Sequence, residues 1–311
     1  MIGRIRTHDG GVYELPPLLE WRLRRTGGVP CDSFEVKCLY SAEMSAPLKN
    51  AFRFEAVRDG ETAFFGVVDE WRASYGADGL VLTVEGRGMA ALLLDNEAEA
   101  VSYQRATLGE ILRNHVLPLG IRCASEQASC DAQEYAVASG ASQWKALKGF
   151  AERCGLTPYF SAEGTLFLRT KAEGGKHTLD TPGALREALY RDRRYGVLSE
   201  VLVINRSRDL RQVAKNEAFA ARGGQCRRVV YAPSRSANEL RYTGEYQIDA
   251  SRAGARELTL VFDGAADVEP MDRVRLRLEP LGIEGNFRVN ETLYAMSARG
   301  ETTELTLWEE E

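Results

Sequence analysis

Residues 52–74 read FRFEAVRDGETAFFGVVDEWRAS, and residues 274–296 read VRLRLEPLGIEGNFRVNETLYAM. The two stretches align without a gap at a constant offset of 222, with Arg53/Arg275, Gly60/Gly282, Phe65/Phe287, Val67/Val289 and Ala73/Ala295 identical. Apolar and polar positions alternate in step, Phe52, Phe54 and Ala56 against Val274, Leu276 and Leu278, which is the period of a strand with one buried face. After one inserted residue, LVLTVE at 80–85 falls on TELTLW at 303–308. Two copies of one β-unit predict two similar β-domains, a matter of architecture rather than of a catalytic site.

Outward from the first copy the pattern stays β. SFEVKCLY at 33–40 places Phe34, Val36, Cys38 and Tyr40 on one face, and Arg58-Asp59-Gly60 and Ala77-Asp78-Gly79 supply tight turns. A meander of this kind predicts a small barrel or sandwich. The middle differs. Thr107 is a candidate N-cap for a helix carrying Leu108, Ile111, Leu112, His115 and Val116, with Gly120 beyond its end. A second helix is predicted over 142–154, from Trp144, Leu147, Phe150, Ala151 and Cys154, with Gly155 as its left-handed cap. LTPYF at 156–160, the turn Ser161-Ala162-Glu163-Gly164 and TLFLR at 165–169 complete a compact α+β module, closed by a linker near Gly174-Gly175 and Thr181-Pro182-Gly183. Strands return at 197–205, and the polar stretch 208–225 is expected to be an inserted loop or short helix. Further strands are expected at 227–231, 257–262, 273–278, 287–297 and 303–308. The fold class is therefore mainly β: a first β-barrel domain over 1–95, an α+β insert over 96–190 and a second β-barrel domain over 191–311.

With 311 residues, 44% hydrophobic and 27% charged, the chain can fill more than one core. Forty basic against forty-five acidic residues disfavour a dominant nucleic-acid surface. Met1-Ile2-Gly3-Arg4-Ile5-Arg6 lacks the apolar core of a signal peptide and no later stretch reaches membrane-spanning length, so synthesis and folding in the cytoplasm are expected. Six cysteines without a C-x-x-C pair read as reduced, mostly buried thiols.

Catalytic and cofactor signals are weak. Gly86-Arg87-Gly88-Met89-Ala90-Ala91 imitates a dinucleotide fingerprint, but hairpin strands precede it, and it reads better as a strand-to-helix corner. His8, His115 and His177 stand in no metal-hydrolase context, and His115 reads as a core or boundary residue. There is no G-x-S-x-G, and Gly174-Gly175-Lys176 is no phosphate loop. Arg22/Arg24/Arg25, Arg191/Arg193/Arg194 and Arg206/Arg208/Arg211 are candidate anion or acidic-partner clusters, although Arg22 and Arg24 share one strand face where they need only solvate it. Glu309-Glu310-Glu311 reads as a solvated tail, and the sequons at Asn205 and Asn290 matter only after secretion. No catalytic, cofactor-binding or metal residue is assigned.

Phe65-Gly66-Val67-Val68-Asp69-Glu70-Trp71, followed by LVLTVEGRGMAALLLDN at 80–96, resembles the baseplate hub proteins of phage tails and related contractile injection particles: the T-even hub, the late-control D proteins and the hubs of defective prophages and phage-tail-like bacteriocins. WKALKGFAERCGL at 144–156 resembles that family's helix, and Glu163-Gly164-Thr165-Leu166 its hairpin. The resemblance covers nearly the whole chain and implies a non-enzymatic homotrimer. Its six barrels form a pseudo-sixfold ring between a hexameric tail tube protein and a trimeric spike protein. Other baseplate proteins and a tape measure protein are its further expected neighbours, with no membrane, no sequence-specific nucleic acid and no cofactor. Two alternatives stand beside it. One is a cell-wall hydrolase using paired carboxylates within 97–190. The other is a carbohydrate-binding module with Tyr159 or Trp144 as an aromatic platform, although Trp144 fits the core of its helix better.

Overall fold

The structure, a computed structural model, describes residues 1–27, 31–77, 79–124, 130, 132–170, 174–180, 185–232 and 237–310. The chain opens with β1 (Ile2–Thr7), β2 (Val12–Glu14), β3 (Glu20–Thr26), β4 (Ser33–Leu39), a short helix α1 (Ser45–Lys49), β5 (Ala51–Arg58), β6 (Glu61–Gly76) and β7 (Gly79–Gly88). Alternation decides which side is buried: Ile5, Trp21, Leu23, Phe34, Val36, Cys38, Phe54, Ala56, Phe64, Leu82 and Val84 all turn into one core. One curved antiparallel sheet supplies them, ordered β3-β4-β7-β6-β5-β1-β2. Asp59 and Gly60 both have positive φ, 51° and 89°, as a two-residue hairpin turn between β5 and β6 demands.

Next come α2 (Ala91–Asp95), β8 (Val101–Ala106), α3 (Leu108–His115), β9 (Gln133–Val137), α4 (Gln143–Arg153), β10 (Thr157–Phe160) and β11 (Leu166–Arg169). Both expected caps are present. The Thr107 hydroxyl accepts from the Glu110 N–H while the Glu110 carboxylate accepts from the Thr107 N–H, and the Ser142 hydroxyl accepts from the Lys145 N–H. Ile111, Ala146, Leu147, Phe150 and Leu166 are among the residues of a separate core. The reduced-thiol expectation is corrected here, because Cys130 and Cys154 form a disulfide. The C-terminal end of α4 brings Cys154 to a Cα–Cα distance of 5.6 Å from Cys130, a proximity that spacing along the chain does not show.

The last part holds β12 (Lys176–Asp180), β13 (Leu185–Asp192), β14 (Glu200–Asn205), β15 (Leu210–Lys215), α5 (Glu217–Ala221), β16 (Arg227–Tyr231), α6 (Ala237–Arg252), β17 (Arg256–Asp263), β18 (Arg273–Leu278), β19 (Ile283–Ser297) and β20 (Gly300–Glu309). Two expectations change. Residues 208–225 contain β15 as well as α5, and together with β14, β16 and α6 they build a second α+β module around Leu198, Val201, Val203, Ala214, Leu240 and Ile248. The sequence hides α6 because only Leu240, Gly244 and Ile248 of it are buried, a stripe with a glycine at its centre. That glycine has a packing reason: a Cβ there would lie 2.8 Å from the Ala214 Cβ. Residues 176–180 and 185–192, placed in the insert and its linker, are β12 and β13 and pair with β18 and β17. The expected linker residues 181–183 lie outside the described residues.

The repeat now has a topological form. Strand order β1-β5-β6-β7-β4-β3 in the first unit is matched by β12-β18-β19-β20-β17-β13 in the second, whose core is built from Leu258, Leu260, Val274, Leu276, Phe287, Leu305 and Leu307 among others. One pairing differs, β1–β5 being antiparallel and β12–β18 parallel. The second module fills the connection between β13 and β17, equivalent to the short β3–β4 loop. Face by face, the offset of 222 holds for Phe54/Leu276 and Ala56/Leu278, and 223 holds for Leu82/Leu305 and Val84/Leu307. It fails for Phe65/Phe287: Phe64 faces the first core and Phe65 packs on the α+β insert, whereas Phe287 is buried in the second core. The β5–β6 pair carries a bulge at Ala56/Val57 that β18–β19 lacks, and one extra residue exchanges the faces of everything beyond it.

Gly86 is fixed by close backbone approach. A Cβ on it would lie 2.0 Å from the Val67 carbonyl oxygen, and one on Gly66 would lie 2.2 Å from the Arg87 carbonyl oxygen. The fingerprint-like glycines thus let β6 and β7 cross closely and lead into α2, as the corner reading expects. Gly86→Ala should lower unfolding free energy by about 2–4 kcal/mol in chemical denaturation. An unchanged midpoint would contradict this packing.

Candidate assembly interface

β19 has 15 residues and β18 six, so the second half of β19 outruns its neighbour and offers an open edge. β3 takes that edge, pairing Glu291↔Thr26 through Met296↔Trp21 in antiparallel register. This seam joins the two β-units into one 13-stranded sheet. Trp21 is buried against Tyr294 with ring centroids 4.3 Å apart, and on the opposite face Arg24 pairs with Glu291 at 2.8 Å. Burial pushes the Glu291 carboxyl up and Arg24 pulls it back. The Gly27 N–H donates to the Asn290 carbonyl at 2.8 Å at the end of the seam.

Two other edges have the same construction without a partner. β6 has 16 residues against eight in β5, and beyond a bulge at Asp69 its residues 70–76 pair only with β7 among the described residues. β13 pairs only with β17 among the described residues. Large apolar side chains stand exposed at these edges: Tyr75 at 85%, Leu189 at 65% and Tyr195, just past the end of β13, at 90%.

A partly buried polar cluster seats the insert on the seam. The Arg25 guanidinium donates to the Glu269 carboxylate and to the Tyr159 hydroxyl, and the Tyr159 hydroxyl donates to Glu269 at 3.0 Å. Arg25 comes from β3, Tyr159 from β10 and Glu269 from the loop before β18, so one guanidinium ties three units together. Burial opposes the Arg25 charge, but Tyr159 and Glu269 outweigh it and hold its pKa above the ordinary value. Nearby, Asp32 accepts from the Thr26 N–H at 2.8 Å, and burial raises its carboxyl to about 6 against the counter-pull of Arg25.

Solved structures share this fold. A 43 kDa tail protein of prophage MuSo2 from Shewanella oneidensis superposes with a TM-score of 0.81 at 16% identity, over 99% of this chain and 98% of that one. The tail protein from Neisseria meningitidis MC58 gives 0.81 at 19% identity, over 99% and 96%. The fold is that of phage tail proteins. The Escherichia coli c3393 protein, a type VI secretion component with structural similarity to T4 bacteriophage tail proteins gp27 and gp5, matches with a TM-score of 0.62 at 13% identity, over 99% and 77%. No family model and no curated sequence matches the chain. At these identities the tail-protein likeness lies in the fold, and the resemblance to baseplate hubs drawn from degenerate motifs is borne out at that level.

On this tail-protein fold the residues singled out in the sequence are dispersed. Trp144 and Tyr159 are buried, so neither forms an exposed glycan platform. His115 is buried on α3 between the Tyr103 hydroxyl at 3.1 Å and Gln143 Oε1 at 2.7 Å, a core residue as expected, and His177 contacts Asp272 at 2.8 Å. Among the described residues no group of three His, Cys, Asp or Glu could hold a metal ion. In the insert, Glu110 is held below the usual carboxylate range by its bonds to Thr107, the reverse of what a general acid needs. The raised carboxyls, Asp32 and Glu291, belong to the β-units. Of the arginines, Arg22 and Arg24 share the outer face of β3, as expected, while Arg25 is buried. The solvated-tail reading of the C-terminus is corrected: Glu309 pairs with Arg256 at 3.0 Å and Glu310 with Arg288 and Arg273, because β20 continues through Glu309 along the second unit. Glu311 lies outside the described residues.

Arg25→Met should cost about 1–3 kcal/mol in denaturant unfolding, because the buried Tyr159 hydroxyl and the half-exposed Glu269 carboxylate lose the guanidinium. Asp32 titrates in the opposite sense to a paired carboxylate. Its folded-state pKa is raised, so its stabilisation is full below the ordinary value near 3.8 and fades as pH rises through about 6. Asp32→Asn should therefore raise stability at pH 7.5 by roughly 1–3 kcal/mol relative to wild type and flatten the change between pH 4.5 and 7.5. A variant with an unaltered pH profile would show that Asp32 is not the group responsible.

Proposed function

We propose that the chain is the structural hub of a phage tail or phage-tail-like particle. Three copies close a ring of six β-units, a symmetry adaptor between a hexameric tail tube and a trimeric spike. The observation that carries this reading is the duplicated six-stranded topology joined by the β3–β19 seam. One chain presents two quasi-equivalent units, so threefold symmetry of chains yields sixfold quasi-symmetry of units. The tail-protein fold and the likeness to a type VI secretion component support a place beside spike and baseplate proteins. The tape measure protein is a further neighbour on this reading. The chain is made in the cytoplasm and built into the particle, and its work is geometric rather than catalytic.

Purified protein is expected to run in light scattering at about three times the chain mass of 34.5 kDa. A monomer at tens of micromolar would contradict the ring.

A further inference from the structure

The seam inside the chain is a template for a joint between chains. β3 is the outer strand next to β4, and β13 is its counterpart next to β17. β19 and β6 are the two long, bulged strands that outrun their hairpin partners. The chain makes one of the two joints these four strands allow, β3 on β19, and leaves β13 and β6 open.

We infer that β13 of one chain adds antiparallel to residues 70–76 of β6 in a second copy of this chain. The inference rests on the proposed ring only for the number of copies. Sequence supports the equivalence independently of topology. Residues 21–27 read WRLRRTG and residues 190–196 read YRDRRYG, so both outer strands carry R-x-R-R-x-G after a core-facing aromatic. Two of the arginine clusters are therefore copies of one element. Facing fixes which side chains meet. Trp71 and Ala73 oppose Val84 and Leu82 and so lie on the core side of their sheet, and Tyr190 opposes Leu258 on the core side of its own. Tyr75 opposes Leu80 on that same face and takes the place of Tyr294, so in the joint Tyr190 meets Tyr75 as Trp21 meets Tyr294 inside the chain. On the outer face Arg193, the counterpart of Arg24, falls opposite Ser74, the counterpart of Leu293, so the apolar face rather than a charge match carries the joint. Pairing would also cover Tyr75, Leu189 and Tyr195, and would remove two open edges that otherwise invite uncontrolled association. The two edges differ, so addition is head-to-tail and closes only as a ring.

Two variants test this, each built on side chains exposed in the single chain so that folding is spared. One blocks β6 with Ala73→Arg and Tyr75→Asp, which would face Arg194 and Asp192 of the second copy, and the other blocks β13 with Leu189→Asp and Tyr195→Lys, the latter facing Arg72. Circular dichroism melts confirm that each is folded. In light scattering each variant alone should fall from the wild-type trimer to a 34.5 kDa monomer. Mixed at equal ratio they should form a dimer and nothing larger, because one open β6 and one open β13 remain. A wild-type trimer that neither variant disturbs, or a mixture that stays monomeric, overturns the edge pairing and leaves the ring reading standing. A wild-type dimer or open chain that both variants dissociate keeps the pairing and overturns the threefold ring. A monomeric wild type overturns both.

Discussion

The pairing of β3 with the overhanging half of β19 is the constraint on which the rest of the molecule depends. Unmatched strand lengths create an edge whose N–H and C=O groups must find partners, and a six-residue ladder from elsewhere in the chain supplies them. That ladder fixes the second β-unit relative to the first. It also turns Trp21 onto Tyr294 and brings Arg25 beneath the insert. Without it the chain would be two small sheets with separate cores and no defined angle between them.

The insert is held to this frame by polar chemistry at the seam as well as by Phe65 and Val67 of β6 packing on its core. Arg25, Tyr159 and Glu269 come from three different units and hydrogen-bond one another, with Arg25 and Tyr159 buried. Such a cluster specifies an orientation more sharply than a greasy contact does, because its members accept few alternatives. The contacts that set one unit against the next are thus concentrated at the seam.

Legibility in the sequence followed physical signal strength. The helices α3 and α4 were readable because each has a hydroxyl N-cap and a full apolar stripe, and α6 was not, because glycine replaces the central apolar residue of its stripe. The β-repeat was legible on β5/β18 and β7/β20, where alternation alone sets the faces. On β6/β19 a bulge and a longer turn shift the register, so identical letters such as Phe65 and Phe287 point to different cores. The Cys130–Cys154 bond and the ion pairs of Glu309 and Glu310 depend on neighbours brought close only by folding. The two equivalent outer strands left their mark as two arginine clusters, whose kinship shows only once β3 and β13 are known to occupy equivalent places.

The central claim is that one duplicated chain makes a six-part ring from three copies. Averaged single-particle images of the purified assembly test it most directly. The account expects a closed ring of six similar β-lobes with threefold modulation and continuous sheet between adjacent chains. A ring with another number of lobes, or particles that are single two-lobed chains, would contradict it.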